Sequence, residues 1–145
     1  MIPFRKSLLA LSAVLGTALV TAGDAQAFRP NFPLTVIQVP DSRTFEVIEE
    51  HGAGPRQIWC AAAEHGRDVL RLPTATRLYI ARGRGPSELA PGRMSVRFSP
   101  DPVQPVGPRQ DGPYTVSLRD VGFSLSIGHA QSYCLDRIDD LFDRF

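Results

Sequence analysis

Residues 56–70 read "RQIWCAAAEHGRDVL" and place a cysteine, a glutamate and a histidine within six positions of one another. The stretch decides the fold, because it is read as a helix that carries half of a covalent staple. Pro55 suits the first helical position, Gly66 suits a stop, and "CAAAE" between them is made of strong helix formers. A helix is therefore expected from Pro55 to His65. At about 100° per residue, Ile58, Ala62 and His65 share one side, bordered by Trp59 and Ala61, while Cys60 and Glu64 stack on the opposite flank. Cys60 and His65 lie about 140° apart on this helix, so they form no thiol–imidazole dyad on their own. The three alanines let the helix lie close against a sheet.

Downstream the hydrophobic period changes to two. In "YTVSLRDVGFSLSI" Tyr114, Val116 and Leu118 alternate with polar residues, as do Phe123, Leu125 and Ile127, which predicts a hairpin around "RDVG". "RMSVRF" alternates through Met94, Val96 and Phe98, and "TRLYIA" and "TFEVI" are shorter strand candidates. Between them "SPDPVQPVGPRQDGP" carries five prolines in 15 residues and is expected as an extended surface loop. The expected fold class is α+β: a small antiparallel sheet of four to six strands covered by one helix. It is followed by a C-terminal amphipathic helix over 135–145, where Leu135, Ile138, Leu141, Phe142 and Phe145 fall at helical spacing.

Arg5 and Lys6, the apolar run Leu8–Val20 and "AQA" at 25–27 have the three parts of a secretory signal peptide. The apolar run is too short for a membrane span. The expected layout is a signal peptide over 1–27, an extended arm over 28–42, a single α+β domain over 43–134 and the terminal helix. Cleavage after Ala27 would leave 118 of the 145 residues, formally neutral, with arginine as the only strong cation. The expected location is periplasmic or secreted, with no transmembrane segment after cleavage. The two cysteines, Cys60 and Cys134, then read as one disulfide. Closing a loop of about 75 residues stabilises by roughly 4 to 4.5 kcal/mol in the chain-entropy treatment.

"WCAAAEHGRDVL", "TRLYIARGRGPS" and "SIGHAQSYC" together resemble an uncharacterised group of small exported bacterial proteins. Its marks are a W-C-A-A helix, a strand followed by R-G-x-G-P, and a late second cysteine. The resemblance covers Gln57 to Cys134 and implies a secreted single domain in which Cys60 and Cys134 correspond to the group's two cysteines. The residues after Cys134 extend beyond that pattern.

An enzymatic alternative is a thiol hydrolase using Cys60 and His129, which follow one another in the chain order of papain-like enzymes. Oxidation by the nearby Cys134 would consume such a nucleophile. No nucleophile elbow, P-loop or dinucleotide-binding glycine pattern occurs, and no cofactor is expected. His51, His65, His129, Glu49, Glu50 and Glu64 show no established metal-ligand spacing, so no metal is expected either.

The remaining signal is charge. Residues 77–97 hold Arg77, Arg82, Arg84, Arg93 and Arg97 against the single Glu88. Arg82 and Arg84 are expected on a glycine-flanked connecting loop, projecting freely. These five form a candidate patch for an anionic envelope component or an acidic protein, since the planar guanidinium fork suits carboxylate and phosphate. Nucleic acid is not expected in this compartment. The function expected is that of a small, disulfide-stabilised binding or interaction module of the cell envelope.

Overall fold

A computed structural model describes residues 33–136. The signal peptide expected over 1–27, and the part of the expected terminal helix beyond Asp136, lie outside the described residues. The elements are strands β1 (Val36–Gln38) and β2 (Phe45–Ile48), helix α1 (Pro55–Asp68), strands β3 (Arg77–Pro86), β4 (Met94–Ser99) and β5 (Ser124–Ser126), and the short helix α2 (Ile127–Ser132). A 3-10 turn, Tyr133–Asp136, follows α2. The five strands form one antiparallel sheet in the order β1-β2-β4-β3-β5, and α1 packs on it. The fold is thus the α+β arrangement expected. No helix among the described residues is long and apolar enough to cross a membrane.

Phe45 and Val47 of β2, Leu78 and Ile80 of β3, and Val96 and Phe98 of β4 are all fully buried and meet Ile58, Trp59, Ala62 and Ala63 of α1. Trp59 stands edge-on to Phe98 at 4.8 Å and donates its indole N–H to the Ser117 carbonyl at 2.9 Å. Six consecutive helix residues, Ile58–Ala63, are buried, because α2 and the 3-10 turn cover the side of α1 that the sheet leaves open. The alanines serve this double contact. Cys60 and Cys134 are disulfide-bonded with Cα atoms 5.1 Å apart, which fixes the chain's last described turn to the middle of α1.

Several expectations are corrected. α1 does not stop at Gly66 but continues to Asp68. Gly66 is buried, and a Cβ there would meet Ile127 Cδ1 at 3.1 Å and Leu78 Cδ1 at 3.6 Å, so the glycine serves close packing. The reversal comes later, at Arg71 with φ 57°. The arm expected over 28–42 contains β1, paired with β2 from Val36↔Val47 to Gln38↔Phe45.

The hairpin expected around "RDVG" does not form. Tyr114–Leu118 is not a strand: Ser117 and Leu118 are buried in succession, and Tyr114 is fully exposed. Asp120 instead accepts the N–H groups of Gln110 and Asp111, folding the segment into a loop by side-chain-to-backbone bonds that compete with a strand ladder. β5 ends after three residues because Ser126 caps α2, accepting from the His129 N–H at 3.2 Å. The proline-rich stretch from Asp101 to Pro113 has no strand or helix, as expected.

"ARGRGP" is strand rather than loop. β3 runs through it with two register shifts against β4, and its other edge is closed by residues 118–123 through Ile80 N–H to Phe123 O, Gly122 N–H to Ile80 O and Arg84 N–H to Leu118 O. Gly83 lies under Arg119, where an added Cβ would come within 2.5 Å of the Arg119 carbonyl oxygen. That close approach explains the glycine without any phosphate.

Candidate functional site

The five arginines of the expected patch are distributed over β3, β4 and the turn between them, and four of them are held by glutamates. Arg82 and Arg97 converge on Glu46, Arg84 pairs with Glu49, and Arg93 with Glu50. Arg77 bridges β3 to β5 by donating to Ser124 Oγ and the Ser124 carbonyl. Arg82 and Arg84 therefore do not project freely, and the glutamates offset the charge of every arginine of the patch except Arg77.

Glu46 is the centre of this arrangement. It sits mid-strand on the sheet face opposite α1, fully buried, directly across from Arg97 in the β2–β4 register. It accepts from Arg82 Nη2, from Arg97 Nε and Nη2, from Ser87 Oγ and from Ser95 Oγ. Burial pushes its carboxyl pKa up, but the Ser87 and Arg97 hydrogen bonds and the Arg82 charge outweigh that, and the net shift is downward. Arg97 also reaches Glu88 at 2.7 Å. Arg82 donates to the Pro86 carbonyl as well, and its buried Nε has no partner among the described residues. The Glu46 carboxylate at its centre is fully buried and multiply bonded, which makes this cluster a structural hub.

The exposed polar chemistry lies beside it. A cleft of about 380 Å³ opens where the start of α1, the middle of β3 and the 111–119 loop meet. Arg84 and Arg119 stand on its walls, with side chains 44% and 61% exposed. Arg84 grips Glu49 through Nε and Nη2, and Arg119 grips Asp111 through Nε and Nη2. Each guanidinium is thus oriented by its own carboxylate, and its Nη1 group makes no hydrogen bond among the described residues. Beneath them Asp111 is held below the usual carboxylate range, first by the Ser117 hydroxyl and then, against the effect of burial, by Arg119. Asp120 anchors the same loop. Burial raises its pKa, but the Gln110 N–H, Ser117 and the Asp111 N–H lower it further. Ala53, Pro55, Val116 and Leu118 make the apolar part of the lining. Of the expected patch, only Arg84 belongs to this cleft. Arg119 and Asp111 were not singled out from the sequence, and Glu49 only as a metal-ligand candidate, because Arg119 lies 35 positions along the chain from Arg84 and is brought there by the β3 edge.

The thiol-hydrolase alternative meets a direct obstacle. Cys60 and Cys134 are bonded to each other, and no free cysteine remains among the described residues. His129 is exposed, and its Nε2 is 3.1 Å from the Tyr133 hydroxyl. The two sulfurs and a Glu64 carboxylate oxygen lie within 4.8 Å of one another, yet the sulfurs are committed to the disulfide. The histidines do not converge. His65 Nε2 contacts Gln38 Oε1 at 2.8 Å, His51 lies 3.6 Å from Glu50, and His129 meets Tyr133. Because the Gln38 amide nitrogen donates to the Ser42 and Thr44 carbonyls, its oxygen faces His65, which is assigned as neutral and donating. Burial lowers the His65 pKa, in keeping with that state.

Comparison of the chain with protein-family profiles, with curated proteins and with solved structures finds no match.

Proposed function

We propose that this protein works outside the cytoplasm as a binding module and takes an anionic group of its partner in the cleft between Arg84 and Arg119. One observation carries the reading: two exposed guanidinium groups line one concave surface, each pre-oriented by its own carboxylate through Nε and Nη2, with no bond at Nη1 among the described residues. The disulfide supports an oxidising compartment, as do the signal-peptide features of residues 1–27. An anionic envelope component or an acidic protein remains the expected partner class. It would be engaged by local contacts rather than by a field, since glutamates already match the arginines around Glu46. The fully exposed Tyr114, next to the cleft-lining Thr115, adds an aromatic surface of the kind that anchors partners.

An amide-resolved NMR titration with acetate tests the reading. Saturable shifts confined to residues around Arg84, Thr115, Val116 and Arg119, weakened by Arg119→Gln, are the expected result. Shifts spread evenly over the surface, or unchanged in that variant, would refute it. Fractionation tests the location: the protein should be recovered outside the cytoplasm without residues 1–27 and without reactive thiol.

A further inference from the structure

The cleft also restricts what the anion is attached to. We infer that its ligand is a carboxylate carried on a short apolar chain, an inference that rests on the cleft reading above. Three features of the lining point to this class. First, Glu49 and Asp111 already neutralise the charges of Arg84 and Arg119, so two leftover Nη1 groups suit a single negative charge better than a dianion. Second, most of the remaining wall is apolar. Ala53 and Val116 pack against the hydrophobic core and Leu118 belongs to it, so this wall is continuous with the rigid interior. A polyhydroxylated ligand would set its hydroxyls against carbon there, with Thr115 as the only hydroxyl in the lining. Third, about 380 Å³ is at the small end for ligand sites, and a bare inorganic ion would leave most of it to water. The geometry that makes the site is itself specified. Gly83 lets the Arg119 backbone lie on β3, and the Arg84 N–H to Leu118 O bond sets the apolar wall against the basic one.

A free short-chain acid and the C-terminus of a polypeptide ending in an apolar residue present the same chemistry. The test therefore compares hexanoate, acetate, hexanamide, and a pentapeptide ending in leucine as the free acid and as the amide, by NMR titration of the intact oxidised protein. Hexanoate is expected to bind at least tenfold more tightly than acetate, given about fourfold per fully buried methylene. Hexanamide and the peptide amide are expected to bind at least tenfold more weakly than their acids. The tighter of hexanoate and the acidic peptide then identifies the source, and either order upholds the class. Val116→Ser should weaken hexanoate more than acetate, narrowing the ratio between them. Arg119→Gln should weaken both and, with Asp111 still bonded to Ser117, keep the melting temperature within a few degrees.

Equal affinity for acetate and hexanoate would overturn the apolar chain and leave the anion cleft standing. Equal affinity for hexanoate and hexanamide, or no localised shift with any acid, would overturn the anion cleft itself.

Discussion

Replacing Glu46 by glutamine should destabilise the domain by about 3 kcal/mol. The carboxylate is fully buried and takes hydrogen bonds from two guanidinium groups and two serine hydroxyls. A glutamine oxygen can satisfy only part of that set. Its amide group would face Ser87 Oγ, which already accepts the N–H groups of Leu89 and Ala90 and has no acceptor capacity to spare. Arg82 and Arg97 would lose their buried counter-charge. Removing one partner of a buried pair costs about 3 to 5 kcal/mol. The lower end applies because the two arginine side chains are 28% and 21% exposed and both still reach Glu88. Urea unfolding at neutral pH, with the same dependence on denaturant in both proteins, measures the difference. The acid limb gives a second reading. The Glu46 pKa is lower folded than unfolded, so its stabilisation is complete above the unfolded value of 4.5 and is lost as pH falls through the folded value. The variant should therefore lose less stability than the parent on acidification below about pH 4.5. A loss under about 1 kcal/mol at neutral pH, with an unchanged acid limb, would show that the hub contributes nothing net.

Cys60→Ser and Cys134→Ser should each cost about 2 to 5 kcal/mol, and the double variant should be little worse than either, because all three delete one bond; thermal unfolding decides it. Gly83→Ala should cost about 2 kcal/mol and disturb the amide signals of Arg119, since its Cβ would lie 2.5 Å from the Arg119 carbonyl oxygen, whereas Gly85→Ala, with nothing nearer than 3.7 Å, should stay within about 0.5 kcal/mol. His65 has a folded pKa below the usual 6.5, so the unfolded chain takes up its proton first as pH falls; stability should decline from about pH 7 downward, and His65→Gln should flatten that part of the pH profile.

The helix, the disulfide and the strand alternation at β4 were legible because each has a local cause. Proline at the first helical position, two cysteines behind a signal-peptide pattern, and Val96 and Phe98 on one face need no knowledge of distant partners. The "YTVSL" run failed for a physical reason: its alternation is also compatible with a loop, and the acceptors on Asp120 that select the loop act ten residues upstream. Gly66 failed because a glycine at a helix end and a glycine beneath a packed side chain look alike in sequence. The cleft was the least legible feature. Its basic wall is assembled from Arg84 and Arg119, and their orienting carboxylates come from Glu49 and Asp111, so no single window of sequence contains it. A glutamate at the centre of the apolar run "TFEVI", opposite an arginine-rich segment, was the one available hint of the Glu46 hub.

The position of the disulfide has a consequence for proteolysis. Cys60 and Cys134 enclose β3, β4, β5 and α2, and also the exposed proline-rich stretch 101–113, within one covalent ring. A protease that cuts this stretch opens the ring without releasing either fragment. α1 stays joined to the last described turn, and the sheet strands remain at high effective concentration. Nicked protein would run as one species until reduced and then separate into two. Among the described residues, this exposed segment therefore lies where a single cut leaves the fragments joined.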